Sequence, residues 1–537
     1  MRDPFPFPAG LAALLLVACS PQAEPEPPDH LIWISIDTLR ADHLSSYGYP
    51  RETSPNLDQL AESGVRFESC FSPTSWTLPA HLSMLTGLAV SVHGIDEERH
   101  WGLTSEPGRP APVQLRGTFI SEHLEQAGFL SGGYYSWKYL EPQYGFGPGF
   151  SIWERVGRSL YAKPDLLSRY TELRKEQKVE ELRAWIEAEP ELFDFHAPGD
   201  DLVIDRGLEF LDEALEARDR VFLFLHLFDP HDDYVPRAPF DTRFTDPKYT
   251  GPIDGRRIAS RDSVVRAKLP QADLAQLIAL YDGEIAWSDA QVGRLLEDLD
   301  RREIRDRTLI HLTSDHGEEF YEHGRKGHRK QLFAESTHVP WILSGGDLPP
   351  GGVVEGAVGL VDQVPTVLAL LGLEVPDGLS GANLAPVARG DQENEVREYT
   401  QLVFGFSPGA PVTLNRGLRR GDEVLLWKQT GQDRVETAYF ANAPGAMEAG
   451  MPTSTNEADP ALRALRQRLD EVRLRYADEI ESQPVRTLSG RIQSRADREQ
   501  LEALGYLQSH SESPIDATPP TDFPLPIDGG RWLPLDR

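Results

Sequence analysis

Three apolar runs in this sequence end in residues able to ligate a cation or move a proton. LIWISID (31–37) closes on Asp37, and RTLIHLTSDHGEE (307–319) reaches Asp315 and His316. Between them VFLFLHLFD (221–229) carries His226 and Asp229, with His231 just beyond. Carboxylate oxygen and neutral imidazole are donors that a divalent cation accepts. If the runs are parallel strands, their C-terminal ends converge on the crevice where open α/β sheets bind ligands. One histidine near a strand end is more often structural, whereas three such endings together point to a site.

A fourth segment adds a candidate nucleophile. SWTLPAHLSMLTG (75–87) passes from small polar residues through Pro79 into Leu82, Met84 and Leu85, a helix-like series with Gly87 as its stop. Thr77 stands at the mouth of this helix, predicted from about Leu78. Threonine there is a favoured N-cap. The same place suits a nucleophile, because backbone N–H groups and the helix dipole favour an attacked anion.

The elements that must position these residues alternate along the chain. SPNLDQLAESG (54–64) reads as a capped helix, VRFESCF (65–71) as a strand, and GTFISEHLEQAGFLSGGYYS (117–136) as helix, glycine, strand. Leu274 to Leu299 has helical periodicity, VPWILSGG is a further strand, and VDQVPTVLALLGL is a Pro-started helix ending at Gly372. Residues 155–200 look like a charged helical insertion. The alternation predicts an α/β fold with a mainly parallel sheet flanked by helices over 31–395. After about residue 395 strand-like RRGDEVLLWKQT and a charged helix around 460–482 predict a smaller C-terminal α+β subdomain (396–508), followed by a Pro-rich tail (509–537). YYSWKY (134–139) reads as core, Asp289 as structural, and Arg40 with Asp42 as a brace for the first loop.

Composition narrows the partners. With 85 acidic against 54 basic residues the net charge is −31, which argues against nucleic acid. A positive site for an anion would then come from a metal ion. Residues 9–18, AGLAALLLVA, are too short to span a bilayer and lead into Cys19 in the pattern of a bacterial lipoprotein signal. The expectation is removal of 1–18, a lipidated Cys19 anchoring the chain to the bacterial envelope on the periplasmic or outer-membrane face, and a Pro/Glu tether over 19–30. An ordinary secretory signal is the competing reading. Cys70, the other cysteine, reads as a buried small hydrophobe without a disulfide.

ISIDTLRADHLSSYGYPRETSPNLDQLAESGVRFESCFSPTSWTLPAHLSMLTG resembles the opening of the sulfatase branch of the alkaline-phosphatase superfamily. FLFLHLFDPHDDY, YDGEIAWSDAQVGRLL, TSDHGEEFYEHG, VDQVPTVLALLGL and EQLEALGYL (499–507) continue the resemblance in order. It implies an alkaline-phosphatase/sulfatase-like fold and a metal site of Asp37, Asp315, His316 and Thr77. It implies Thr77 as nucleophile, His226, His231 and His328 as groups at the substrate anion or leaving oxygen, and Lys326 and His81 as substrate contacts.

The sequence departs from the sulfatase pattern at three points. Sulfatases carry Cys or Ser, followed by x-Pro-x-Arg, and oxidise it to formylglycine; here the run is Thr-Leu-Pro-Ala-His. Oxidising a threonine hydroxyl gives a ketone, so no formylglycine is expected. Thr38 replaces a second acidic ligand. His316 replaces an amide, which favours Mn or Zn over Ca or Mg. One divalent ion is expected; a second, held by His231 and His328, is allowed. The resemblance implies a hydrolase or transferase of small-molecule, glycan-linked or lipid-linked anionic esters. The threonine favours phosphate mono- or diesters, with a sulfatase acting without formylglycine as the alternative. A catalytically silent, surface-anchored binding lipoprotein is the reading from another class.

Overall fold

The strand His30–Ile36 (β1) has all seven residues buried, as its unbroken apolar run requires of a strand covered on both faces. Its neighbours in the computed structural model are Val221–Leu227 (β6) and Thr308–Thr313 (β7), both parallel to it. The structure describes residues 26–95, 113–157, 199–255, 269–329, 331–405, 413–421, 423–430, 433–440, 453–454 and 460–488, with scattered positions between 166 and 188. The signal and most of the tether, most of the insertion at 155–200, the EQLEALGYL motif and the tail lie outside the described residues.

The remaining strands of the described chain up to residue 359 are Val65–Phe71 (β2), Val113–Arg116 (β3), Leu130–Tyr135 (β4), Ile152–Arg155 (β5), the short pair Glu319–Phe320 (β8) and Lys326–Gly327 (β9), His338–Ser344 (β10) and Gly352–Gly359 (β11). Five of them join β1, β6 and β7 in the eight-stranded main sheet, in the order β11-β2-β10-β7-β1-β6-β4-β5. Only β10 runs antiparallel to its neighbours. A buried apolar run such as VPWILS reads the same in either direction, so the sequence predicts the strand and not its sense.

Alternation along β1 divides the core in two. Leu31 and Trp33 pack on one face with Phe67, Leu78, Leu82 and Trp341. Ile32, Ile34 and Ile36 pack on the other with Leu57, Leu60, Val203 and Tyr281. The first face is covered by the helix Thr77–Thr86 (α2) and the helix Gln363–Leu370, the second by Pro55–Glu62 (α1), Asp200–Ala217 and the long helix Gln271–Arg301. The predicted proline start at Pro365 is corrected: the helix opens at Gln363, and Asp362 supports the preceding turn by accepting the Gly359 N–H at 2.8 Å. Cys70 is buried and free.

The C-terminal region is built differently. Glu398–Gly405 (β12), Thr413–Arg420 (β13), Glu423–Thr430 (β14), Asp433–Phe440 (β15) and Thr453–Ser454 (β16) form an antiparallel sheet. The helix Pro460–Ser482 lays Val472, Tyr476 and Ile480 against Leu418 and Leu425 and against Leu88 and Val92 of the main domain. Val485–Leu488 (β17) then pairs with β3. Among the described residues no helix is long and apolar enough to cross a membrane.

Candidate active site

β1, β6 and β7 end side by side and deliver their terminal residues to one place. The Asp37 N–H donates to the Leu227 carbonyl at 3.0 Å, which ties the first residue after β1 to the end of β6. Asp315 and His316 follow β7 directly, and Asp37, Asp315, His226 and His316 have no exposed surface. The chain leaves β1 through Thr38 at φ +56, a left-handed conformation that costs a β-branched residue about 1–3 kcal/mol. Two contacts hold it there: the Thr38 N–H donates to Asp315 Oδ1 at 3.3 Å, and the Tyr281 hydroxyl donates to the Thr38 carbonyl at 2.7 Å. Gly317 lets the next segment in close. A Cβ there would stand 2.1 Å from the Glu335 carbonyl oxygen, so no side chain fits.

Thr77 is the first residue of α2, one position before the predicted start. The N-cap is Trp76, and no side chain caps this end. The Thr77 hydroxyl instead faces His316 Nε2 at 3.5 Å, so its side chain belongs to the cluster and not to the helix terminus. α2 ends at Gly87, whose φ of +69 suits glycine. One turn into the helix, His81 places Nδ1 at 2.9 Å from the Thr77 carbonyl and Nε2 at 3.0 Å from Ser35 Oγ.

The centre of the cluster is under-satisfied. Both oxygens of Asp37, Oδ2 of Asp315 and Nε2 of His226 are buried without a hydrogen-bond partner. One donor atom each from Asp37, Asp315 and His316 lies within 4.8 Å of the others. Burial, with Asp37 alongside, pushes the Asp315 carboxyl up to about 7, and burial also raises Asp37. Burial drives His316 down to about 3 and His226 down to about 4. Two buried carboxylates with bare lone pairs are costly unless a positive charge sits among them. The residues therefore fit a divalent cation.

A second set of groups stands beside this centre. The His231 ring lies 4.9 Å from that of His328, which is 4.6 Å from that of His316. Burial opposes a charge on His231, but the Asp232 carboxylate beside it, with Asp37 and Glu318, raises the ring to about 10. His231 Nδ1 is fixed by the Asp232 carbonyl at 2.8 Å, and His328 Nδ1 faces Glu318 Oε1 at 3.2 Å. Lys326 Nζ reaches within 3.9 Å of Asp232 Oδ2. The arrangement offers a hydroxyl, two carboxylates and an imidazole at one point, with two histidines and a lysine next to them.

A family model described as Sulfatase matches residues 29–373. The chain belongs to the sulfatase family. Its relatives include N-acetylglucosamine-6-O-sulfatase of Bacteroides thetaiotaomicron, 23% identical over 70% of this chain and 74% of the relative. Arylsulfatase K of Xenopus laevis is 29% identical over 130 residues, and this chain spans 24% of that protein's length. Among solved structures, phosphonate monoester hydrolase of Agrobacterium radiobacter superposes with a TM-score of 0.59 at 20% identity, over 86% of this chain and 97% of that one. That likeness shows the fold, a mostly parallel sheet with flanking helices.

Within this sulfatase-family chain the strand ends and Thr77 meet at one place. His81, expected to contact substrate, sets its ring nitrogens against the Thr77 carbonyl and Ser35 Oγ, with Nδ1 also 3.5 Å from Asp315 Oδ2. His226, expected at the substrate anion or leaving oxygen, has Nε2 3.3 Å from Asp37 Oδ2. Sequence reasoning missed Ser35, Ser136, Asp232 and Glu318. Glu318 sits inside the quoted TSDHGEE motif and Asp232 inside DPHDD, so their signal was proximity to residues already chosen. Ser136 and Ser35 gave none.

Proposed function

We propose that this sulfatase-family chain is a metal-dependent hydrolase or transferase of anionic esters with Thr77 as an unmodified nucleophile, and that phosphorus is its preferred centre. The observation that carries the reading is the Thr77 hydroxyl, 3.5 Å from His316 Nε2 at the start of α2 and beside carboxylate oxygens that lack partners. Asp37, Asp315 and His316 would hold the cation, with Thr77 adjoining. When bound, the cation lowers the pKa of the hydroxyl and offsets negative charge on the transferring group.

The chain's own residues supply the rest. The free N–H groups at the start of α2 face the anion's oxygens. Thr77 Oγ1, its proton lost to solvent, forms the bond to phosphorus as the bond to the leaving oxygen breaks. His231 or His328 gives that oxygen a proton. Water then attacks the threonine ester, returns a proton to the histidine and frees Thr77; an acceptor alcohol in place of water gives transfer. Assay of the purified protein on aryl phosphodiester, phosphonate monoester and aryl sulfate substrates, with Mn or Zn, tests the preference. A phosphate adduct on the Thr77 peptide supports it. Sulfate turnover without phosphoester turnover overturns it.

Sulfate is the second reading, supported by the family match and by the name of the N-acetylglucosamine-6-O-sulfatase relative, which also favours a glycan-linked ester. The lipid anchor at Cys19 belongs to the proposal as well; incorporation of labelled palmitate that Cys19→Ser abolishes is the expected result.

A further inference from the structure

We infer that Gln401 and Arg419, in the C-terminal sheet, are positioning residues for the active site: they hold the segment from Ser72 to Trp76 that delivers Thr77. The inference rests on the reading of Thr77 as the nucleophile, and it gives the C-terminal sheet a part in that chemistry.

The start of a helix frays unless its first N–H groups find partners. α2 opens at Thr77 with no side-chain cap, so the place of Thr77 depends on the path of the chain leading in from β2. That segment is buried, and three of its carbonyls accept protons from outside it. The Ser72 carbonyl takes Gln401 Nε2 at 2.8 Å, the Pro73 carbonyl takes the Leu402 N–H at 2.9 Å, and the Ser75 carbonyl takes the Arg329 N–H at 2.8 Å. Two of these donors belong to β12, the edge strand of its sheet, which has a strand on one side only.

Gln401 is itself held at both ends. Its Oε1 accepts Arg419 Nε at 3.1 Å, which keeps the amide turned with Nε2 toward Ser72. Arg419 is buried, its guanidinium lies 4.1 Å over the ring of Phe71, and Nη2 donates to the Leu332 carbonyl at 3.4 Å. Gly417, opposite Gln401 in β13, leaves the room: a Cβ there would stand 2.9 Å from Gln401 Oε1. The Leu332 contact carries the hold to the run just beyond His328, where Arg329 lays its guanidinium 4.1 Å over Trp76. One buried glutamine–arginine pair therefore braces the entry to Thr77 and the segment that follows His328. Misplacing a reacting group by about 1 Å costs on the order of 100-fold in rate, so such a brace bears on turnover.

Hydrogen exchange on the full chain, read peptide by peptide, tests the inference without a substrate. In Gln401→Met the amides of residues 74–78 should exchange at least about 10-fold faster than in the wild type, with those of β1 and β7 unchanged. Arg419→Met should show the same pattern, and Arg419→Lys, which keeps a charge over Phe71 and a donor for Gln401, should recover most of the protection. With Mn and bis(4-nitrophenyl) phosphate, or 4-nitrophenyl sulfate if that is the ester cleaved, Gln401→Met should lower kcat by about 10-fold or more and leave KM within about 3-fold. Unchanged exchange over 74–78, a rise spread equally over β1 and β7, or a raised KM at constant kcat overturns the inference. If Gln401→Met does not fold, the comparison of Arg419→Met with Arg419→Lys decides. Wild-type turnover in Thr77→Ala overturns the nucleophile and this inference with it. An inactive Thr77→Ala beside a Gln401→Met with wild-type exchange and kcat overturns this inference alone.

Discussion

Asp289 and Asp315 are both buried carboxylates, 1% and 0% exposed, yet their surroundings are opposite in kind. Asp289 Oδ1 accepts the Leu57 N–H at 2.9 Å and the Asn56 N–H at 3.0 Å, while Oδ2 accepts Asn56 Nδ2 at 2.7 Å. It caps α1 from the side of the long helix, and every lone pair in use meets a proton. Asp315 Oδ1 is held by the His316 and Thr38 N–H groups, but Oδ2, 3.4 Å from His316 Nε2, has no hydrogen-bond partner. Arg40 repeats the satisfied pattern: its guanidinium pairs with Asp42 at 2.7 Å and Glu322 at 2.6 Å and donates to the Glu318 carbonyl. Asp289 and Arg40 are fully partnered, whereas Asp37 and Asp315, at the centre of the site, each keep a buried acceptor without a hydrogen-bond partner.

The sharpest way to break that contrast is to neutralise the unsatisfied member. Asp315→Asn and Thr77→Ala should each lower turnover by at least about 10³-fold. In chelated buffer, Asp315→Asn should melt no lower than the wild type, because it removes a charge that burial and the neighbouring Asp37 disfavour. A melting temperature clearly below wild type would make Asp315 a structural residue like Asp289. Next in size, Arg40→Ala leaves Asp42 and Glu322 facing each other and should cost about 3 kcal/mol in a denaturant titration.

Asp289→Ala strips the cap from α1 and should cost about 1–2 kcal/mol while turnover at saturating substrate is kept. A large loss of turnover in a protein of normal stability would erase the distinction.

The smallest effect is a pH dependence. In cation-free protein the Asp315 carboxyl sits near 7, above its unfolded value of about 4, so the folded state binds this proton more tightly. The stability it contributes is full below about pH 4 and lost as pH rises through about 7. Asp289, raised by burial to about 6, titrates in the same direction in both proteins and cancels from the difference. The advantage of Asp315→Asn over wild type in EDTA should therefore widen between pH 4 and 8 in thermal melts. A narrowing gap contradicts the assignment.

The difference between the two kinds of carboxylate explains what could be read in advance. Asp37, Asp315 and His316 were legible because each ends an apolar run, and parallel strands bring such endings together. Thr77 was legible as the start of a helix. Its release from capping was not, because the N-cap is an unremarkable Trp76. Ser136 lay inside YYSWKY, where the buried Trp137 and Tyr139 justify the reading as core, and its partner His226 is 90 residues away. Pairing across such separations is chosen by the sheet order, which local periodicity does not encode. For the same reason the reversed sense of β10 was invisible in its residues.

β3 takes its strand partner from β17, and Arg486 in β17 pairs with Glu122, 364 residues earlier in the chain. During synthesis α2 and the ends of β1, β6 and β7 emerge well before that partner exists. The edge at Val113–Arg116 must wait, unpaired, until residue 488 has left the ribosome. Emergence of β17, and not completion of the strand-end motifs, is then the event that closes this side of the molecule.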